Sequence, residues 1–176
     1  MSDVNILLTR LKPEDVKQEY VDWLNDVEIN KFLESRHIKH DLKSVRRFVE
    51  DMIKDDCNFL FGIFCKRTNK HVGNIKLGPI NYRYKTAEVG LIIGNKDYWG
   101  LGFATQAIKD VCLFAQKVLC INKVEAGCYA SNLASKKIFL KCGFEIEGVL
   151  KEHFSINDKP EDCIRLGRVL SNGNEA

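Results

Sequence analysis

The feature that most constrains this chain is the stretch "YWGLGFATQA", residues 98–107. Two glycines, Gly100 and Gly102, stand one residue apart directly before a run of residues with helical apolar spacing. Glycine inside a helix costs about 1 kcal/mol relative to alanine, so glycines at a helix entrance indicate that something approaches the backbone there. Phosphate is favoured at such an entrance, because the N–H groups are free and the helix dipole is positive.

The residues on either side of this turn predict a chain of alternating helical and extended segments. Before it, apolar periodicity predicts a strand, three helical segments and three adjacent antiparallel strands: "VNILLTRL", "PEDVKQEYVDWLND", "EINKFLES", "DLKSVRRFVEDMIKD", "NFLFGIFCKR", "HVGNIKLGPI" and "KTAEVGLIIG". After it come a helix, a strand, a helix ended by a glycine, and two strands: "FATQAIKDVCLFAQKVL", "KVEAGCYA", "NLASKKIFLKC", "FEIEGVLKEHF" and "DCIRLGRVL". This order predicts an α+β fold with a mixed sheet.

Length and composition bound what the chain can be. A chain of 176 residues, 45% of them hydrophobic, has the size of one globular domain, and we expect that domain over residues 1–170 with a flexible tail over 171–176. The net charge of +3 gives little support to nucleic-acid binding, although an anionic small ligand stays compatible with it. No leader-like or membrane-spanning run is found in the sequence, so we expect a cytoplasmic protein that binds neither nucleic acid nor membrane.

The cysteines and histidines give no sign of a disulfide framework or a metal site. The seven cysteines form no C-x-x-C pair, and their odd number argues against disulfides in a chain of this length. The four histidines show no ligand spacing with the cysteines. We therefore expect the cysteines to be small hydrophobic residues and expect no metal cofactor.

Two of the phosphate-binding classes fit the glycine turn poorly. A Walker-type loop needs G-K-[ST] at the helix start, and the chain has none. A dinucleotide-binding turn needs a third glycine where Thr105 stands, although Glu125 lies at the ribose-binding spacing and keeps that alternative open. The three antiparallel strands before the turn argue against it, because the dinucleotide fingerprint belongs to a parallel βαβ unit.

The stretch "YWGLGFATQAI", with "AEVGLII" before it and "NLASKKIFLKCGF" after it, resembles the GNAT superfamily of acetyl-CoA-dependent N-acetyltransferases. The resemblance covers nearly the whole chain in element order, and "WGLGFATQA" is closest to the branch that acetylates the N-termini of ribosomal proteins. It implies a sheet of about seven mainly antiparallel strands with a splayed cleft between the fourth and fifth. Acetyl-CoA would lie in this cleft with its pyrophosphate on the 100–105 turn, and transfer would be direct, without a covalent enzyme intermediate.

The resemblance also assigns roles to individual residues. Glu88 would be the base that deprotonates the amine, with Gly90 allowing a bulge in the same strand. The alternative for Glu88 is a strand-edge carboxylate paired with Lys or Arg, and Asn132 has the alternative of being only a helix N-cap. The implied contacts to the cofactor are made by Leu91, Ile92, Trp99, Gly100, Leu101, Gly102, Phe103, Ala104, Thr105, Asn132 and Ser135.

Two positions depart from the family pattern. Trp99 stands where the family has Gln or Arg, so the backbone N–H groups of the turn must carry most of the pyrophosphate contact. Phe139 stands where many members place a tyrosine that protonates the departing thiolate, so the acid is unassigned. Tyr129 is the nearest phenol in sequence, and the sequence does not place its hydroxyl.

The acceptor amine is the least constrained part of the prediction. Trp23, Arg36 and Tyr82 are candidates for substrate binding, and the segment "WLNDVEINKFLESRHIKH" mixes both signs of charge. A sugar nucleotide needs basic partners, whereas a polyamine favours a uniformly acidic mouth. We therefore expect a phosphate-bearing amine such as a nucleotide-linked amino sugar, acetylated by a monomer or homodimer. The alternatives are a protein N-terminus and a CoA-binding regulatory domain without turnover.

Overall fold

The computed structural model describes residues 4–170, so the predicted tail over 171–176 lies outside the described residues. Seven strands are formed: β1 Ile6–Arg10, β2 Phe59–Cys65, β3 His71–Asn81, β4 Thr86–Ile93, β5 Lys123–Tyr129, β6 Glu145–Ile156 and β7 Lys159–Val169. Four α-helices accompany them: α1 Gln18–Asn25, α2 Leu42–Lys54, α3 Phe103–Lys117 and α4 Leu133–Lys141. The predicted α+β class is confirmed. Within 4–170, every helix is too short or too polar to cross a membrane.

The strands form one sheet in the order β1-β2-β3-β4-β5-β7-β6, in which only the β4–β5 pair is parallel among the described strands. This parallel ladder is short: it starts at Thr86↔Lys123 and its last pair is Glu88↔Glu125. Beyond Glu88, β4 continues to pair with β3 alone, while β5 continues to pair with β7. The sheet is therefore open at its centre, as the resemblance predicted.

Each face of the sheet carries its own hydrophobic core. One core packs α3 and α4 against the sheet, with Ile108 and Val111 fully buried. The other packs α1 and α2 against the opposite face, with Val49 fully buried. Alternation along β4 follows this division, since Leu91 contacts the first core and Ile92 the second. Residues at the open end of β4 therefore have a rigid layer on both sides.

Two local predictions were wrong. The segment "EINKFLES" forms turns and a short 3₁₀ helix, Glu34–His37, because the Asp26 carboxylate accepts the N–H groups of Glu28 and Ile29 and so offers the backbone an alternative to a helix. The irregularity in the β3–β4 ladder lies between Leu77 and Ile80 of β3 rather than at Gly90. Pro79, inside that interval, has no N–H to donate to the ladder.

Candidate active site

A cavity of about 780 Å³ occupies the opening between β4 and β5. It is closed by the start of α3, by α4, and by part of the segment over residues 28–34. Leu101, one of the predicted cofactor contacts, is exposed and not part of the lining, because its side chain points away from the turn into solvent. The predicted contacts that do line the cavity are Leu91, Ile92, Trp99, Gly100, Gly102, Phe103, Ala104, Thr105, Asn132 and Ser135.

The glycine turn presents its backbone to this cavity. Gly100 has φ 72° and Gly102 has φ 89°, a left-handed conformation that glycine adopts without strain. Gly102 is the N-cap of α3, and it has no side chain that could accept the first N–H groups of the helix. Within the described part of the chain, these N–H groups therefore carry no side-chain cap. These N–H groups, from Phe103 to Thr105, lie at the positive end of a 15-residue helix. The turn is therefore suited to hold an anion.

Trp99 fixes the turn to the sheet rather than replacing the family's side-chain donor. Its indole N–H donates to the carbonyl of Ile93 at 2.7 Å. Lys96, three residues earlier, binds the carboxylates of Asp26 at 2.9 Å and Glu28 at 2.7 Å. These contacts connect the turn to the end of β4 on one side and to the 26–34 segment on the other.

The start of α4 forms another part of the cavity wall. The Asn132 side chain accepts the N–H of Ser135 at 3.1 Å and so caps the helix. Phe139 is buried, packs edge-on against Phe144 with ring centroids 5.0 Å apart, and also lines the cavity. The position that carries a tyrosine in many family members thus offers no hydroxyl here.

A second, more open cavity of about 1190 Å³ adjoins the first. We call it the acceptor groove; it is formed by residues between 25 and 39, Tyr129 and the end of β6 with its turn, 153–158. Its charged or titratable side chains are mostly basic, with two carboxylates among them: Lys31, Glu34, Arg36, His37, Lys39, His153 and Asp158. Among residues 4–170, only Glu34, Tyr129 and Phe154 line both the groove and the first cavity.

Tyr129, at the end of β5, is the centre of this junction. Its hydroxyl donates to the Glu34 carboxylate and accepts an N–H of Arg36 at 2.8 Å. Its ring stacks on Phe154, with centroids 4.0 Å apart. Burial, and the hydrogen bond to Glu34, raise the pKa of the Tyr129 phenol above its ordinary value. A protonated phenol and a carboxylate are thereby held together where the two cavities meet.

Arg36 lines the groove, but its guanidinium is already engaged. Besides Tyr129, it donates to the carbonyls of Leu33 at 2.9 Å and Ser155 at 2.8 Å. Three of the five guanidinium N–H groups thus hold the 33–37 segment against Tyr129 and β6. The role of Arg36 as a phosphate contact stays a prediction.

The other two predicted acceptor contacts lie away from both cavities. Trp23 is buried in the core beside α2, where its ring lies 5.0 Å from that of His71. Tyr82 belongs to the β3–β4 hairpin and donates its hydroxyl to the carbonyl of Asp56 at 2.7 Å. Neither side chain lines the groove or the first cavity, so both predictions are corrected.

Glu88, the predicted base, is also placed differently from the expectation. Its carboxylate accepts an N–H of Arg165 at 2.7 Å, and neither cavity includes it in its lining. Alternation along β4 puts Glu88 on the same face as Ile92, but Arg165 of β7, the strand on the far side of β5, reaches across to pair with it. The alternative considered from the sequence, a carboxylate paired with a basic residue, is what the structure contains.

Sequence reasoning missed Phe154, named Glu34 only as one of several acidic residues at the mouth of the acceptor site, and left Tyr129 without a place. They come from three distant parts of the chain and form no local motif. The one available signal was chemical: the absent hydroxyl at Phe139 leaves a proton donor to be found elsewhere.

Comparisons with known proteins agree with this geometry. The sequence profile of the acetyltransferase (GNAT) domain matches residues 5–145, and the chain belongs to that family. It is an acetyl-CoA-dependent N-acetyltransferase, with acetyl-CoA as co-substrate. Within residues 4–170, no group of three or more His, Cys, Asp or Glu side chains is placed to hold a metal ion.

Three relatives illustrate the match. The chain is 25% identical over 160 residues to the uncharacterized N-acetyltransferase YoaA of Bacillus subtilis, covering 89% of each sequence. It is 30% identical over 95 residues to a spermidine N(1)-acetyltransferase of Vibrio cholerae, covering 54% of each. The crystal structure of spermidine N-acetyltransferase from Vibrio cholerae with CoA and spermine superposes with a TM-score of 0.84 at 23% identity, covering 93% of this chain and 95% of that one.

The pairing of Glu88 leads to a test of its role. Replacing Glu88 by Gln should lower kcat by less than about threefold, because the carboxylate lies outside both cavities. If Glu88 were the base of the reaction, its loss would lower kcat roughly 10² to 10⁴-fold. The loss of the partly exposed ion pair should lower stability by no more than about 1 kcal/mol. Steady-state kinetics with thermal unfolding checks both, and a hundredfold loss of kcat in a folded variant would restore Glu88 as the base.

Proposed function

We propose that this enzyme acetylates the primary amine of a small molecule that also carries phosphate, such as a nucleotide-linked amino sugar. Acetyl-CoA would bind in the cavity between β4 and β5, and the acceptor in the groove that meets it at Glu34. The observation that carries the proposal is the charge of the groove, which is basic except where it meets the cofactor cavity and at Asp158. We infer one acetyltransferase domain over residues 1–170.

The cofactor would be held mainly by backbone. The N–H groups from Phe103 to Thr105 belong to cavity-lining residues in the first turn of α3 and would bind the pyrophosphate. Beyond Glu88, β5 no longer pairs with β4. The backbone edge of β4 exposed there can hydrogen-bond to the extended pantetheine arm as it would to a strand. Lys137 and Lys141, one helical turn apart on α4, line the same cavity and supply positive charge for the remaining phosphate.

Gly102 gives the most direct test of the cofactor site. Gly102→Val should abolish CoA binding, because φ 89° strains any side chain and an added Cβ would lie 3.0 Å from Val4 at the anion-binding turn. Wild-type protein with CoA at 100 times its dissociation constant should gain about 2.7 kcal/mol in stability, and the variant should gain none.

The matched control is Gly148→Val. Gly148 lies on the edge strand β6 and an added Cβ there meets no atom within 4 Å, so this variant should keep the full CoA-dependent shift in melting temperature. A Gly102→Val protein that binds CoA like the wild type would place the pyrophosphate elsewhere.

The charge of the groove also favours some acceptors over others. Lys31, His37 and Lys39 are exposed and line only the groove, whereas Glu34 lines the cofactor cavity as well. An acceptor with one amine and a separate phosphate matches this separation of charge, with the amine beside Glu34. A polyamine, which is cationic along its whole length, would meet two carboxylates and repulsion from the lysines.

Two other acceptors have specific support. The relative from Vibrio cholerae named as a spermidine N(1)-acetyltransferase favours a polyamine as the second candidate. The sequence of the glycine turn, "WGLGFATQA", favours a protein N-terminus of the ribosomal type as the third. A regulatory domain that binds CoA without turnover has no comparable support, because both a cofactor cavity and an adjoining groove are present.

An acceptor panel distinguishes these candidates. We expect CoA release with aminosugar nucleotides and aminoacyl or amino phosphates, and a Lys39→Glu variant should raise KM for them about tenfold through the lost phosphate contact. Lys66→Glu, a change of an exposed lysine in the β2–β3 turn, is the matched control and should leave KM unchanged.

Spermidine and an N-terminal peptide complete the panel. If only spermidine or only the peptide is acetylated, and Lys39→Glu leaves its KM unchanged or lower, the proposed acceptor class is wrong.

A further inference from the structure

We propose that Tyr129 is the proton donor to the departing CoA sulfur and that Glu34 resupplies its proton. The hydroxyl that is absent at Phe139 on α4 is then supplied by Tyr129 on β5. The proposal rests on the proposed position of the amine beside Glu34, and it does not depend on which acceptor carries that amine.

Position is the first argument. The acetyl group must pass from the cofactor cavity to the acceptor groove, and Tyr129 is one of only three residues, with Glu34 and Phe154, that the two cavities share in the described part of the chain. It ends β5, the strand whose separation from β4 opens the cavity. Its hydroxyl therefore lies at the boundary that the reacting carbonyl must reach.

Rigidity is the second argument. The Tyr129 ring stacks on Phe154 at 4.0 Å and contacts Phe32 at 5.5 Å, so aromatic side chains hold it from the β6 side and from the 26–34 segment. Its backbone is fixed in the β5–β7 ladder opposite Cys163. A proton donor held in one orientation avoids the entropic cost of being positioned during the reaction.

The electrostatic surroundings keep the phenol protonated before the reaction and stabilise the phenolate that the reaction leaves. The phenol keeps its proton at neutral pH, because burial and the Glu34 carboxylate both raise its pKa. The Arg36 N–H at 2.8 Å stabilises negative charge on the same oxygen once the proton has left. Other titratable groups near the junction include His153, whose ring packs on Phe154, Lys31, whose ammonium lies over the Phe32 ring, and the thiols of Cys128 and Cys163.

The step balances within these groups. The neutral amine nitrogen attacks the thioester carbonyl carbon, an N–C bond forms, and the C–S bond breaks. The proton lost by the nitrogen passes to the Glu34 carboxylate, while Tyr129 gives its phenolic proton to the sulfur. Glu34 then returns its proton to the Tyr129 oxygen, so the products are an amide and the CoA thiol, and the enzyme regains its starting state.

The first test is Tyr129→Phe, assayed with whichever amine the acceptor panel identifies. We expect kcat to fall by roughly 10² to 10³-fold while KM for acetyl-CoA and the CoA-dependent thermal shift stay within twofold. The wild-type profile of kcat should decline above pH 10, since the raised pKa of Tyr129 sets that limb, and the decline should be absent from the variant.

A second variant separates chemistry from structure. Tyr129→Phe combined with Phe139→Tyr restores a phenol at the family's usual position, and part of the lost kcat should return, which a purely structural role of Tyr129 would not allow. Glu34→Gln keeps the phenol and removes the proton source, so it should lower kcat at least tenfold and serves if the Tyr129 variant does not fold.

A failure of the Tyr129 assignment can be told apart from a failure of the proposed acceptor class. Tyr129→Phe with kcat within threefold of wild type, or with its alkaline decline intact, overturns the assignment, as does a Glu34→Gln enzyme of normal rate. A panel in which only peptides react overturns the acceptor class and leaves this test to be run on those peptides.

Discussion

The early end of the β4–β5 ladder is the constraint on which the rest of the molecule depends. Two parallel strands pair over three residues and then separate, although each still has a partner on its other side. Backbone groups on the facing edges are left for a ligand, because buried N–H and C=O groups need partners. An extended chain of amide groups such as pantetheine would meet that need, and for this reason we propose the opening in the sheet as the cofactor site.

The opening also places the residues to which we assign the reaction. The glycine turn follows β4, so the anion-binding start of α3 lies at one end of the cavity, while Tyr129 ends β5 at the other side. The segment between α1 and α2 then completes the junction. Asn25 anchors it to His40 at 2.9 Å, Lys96 binds it at Asp26 and Glu28, and Arg36 joins it to Tyr129. Acceptor and cofactor sites are thus connected through one loop.

Local patterns in the sequence predicted what depends on local physics. The α+β order, the four α-helices and the turn at Gly102 follow from periodicity and backbone conformation, which neighbouring residues determine. The environment of Glu88 did not follow, because its partner Arg165 is 77 residues away and reaches it only through the strand order of the sheet. The junction of Glu34, Tyr129 and Phe154 was equally inaccessible. The false helix over "EINKFLES" arose because apolar spacing ignored the competing hydrogen bonds of Asp26.

The central claim is that acetyl-CoA lies in the opening of the sheet with its pyrophosphate at the start of α3 and its sulfur at Tyr129. A crystal structure of the CoA complex tests it most directly. We expect pyrophosphate oxygens within about 3 Å of the N–H nitrogens between Phe103 and Thr105, and the CoA sulfur in contact with the Tyr129 hydroxyl. A pyrophosphate bound away from this turn, or a sulfur that points away from the junction with the acceptor groove, would contradict it.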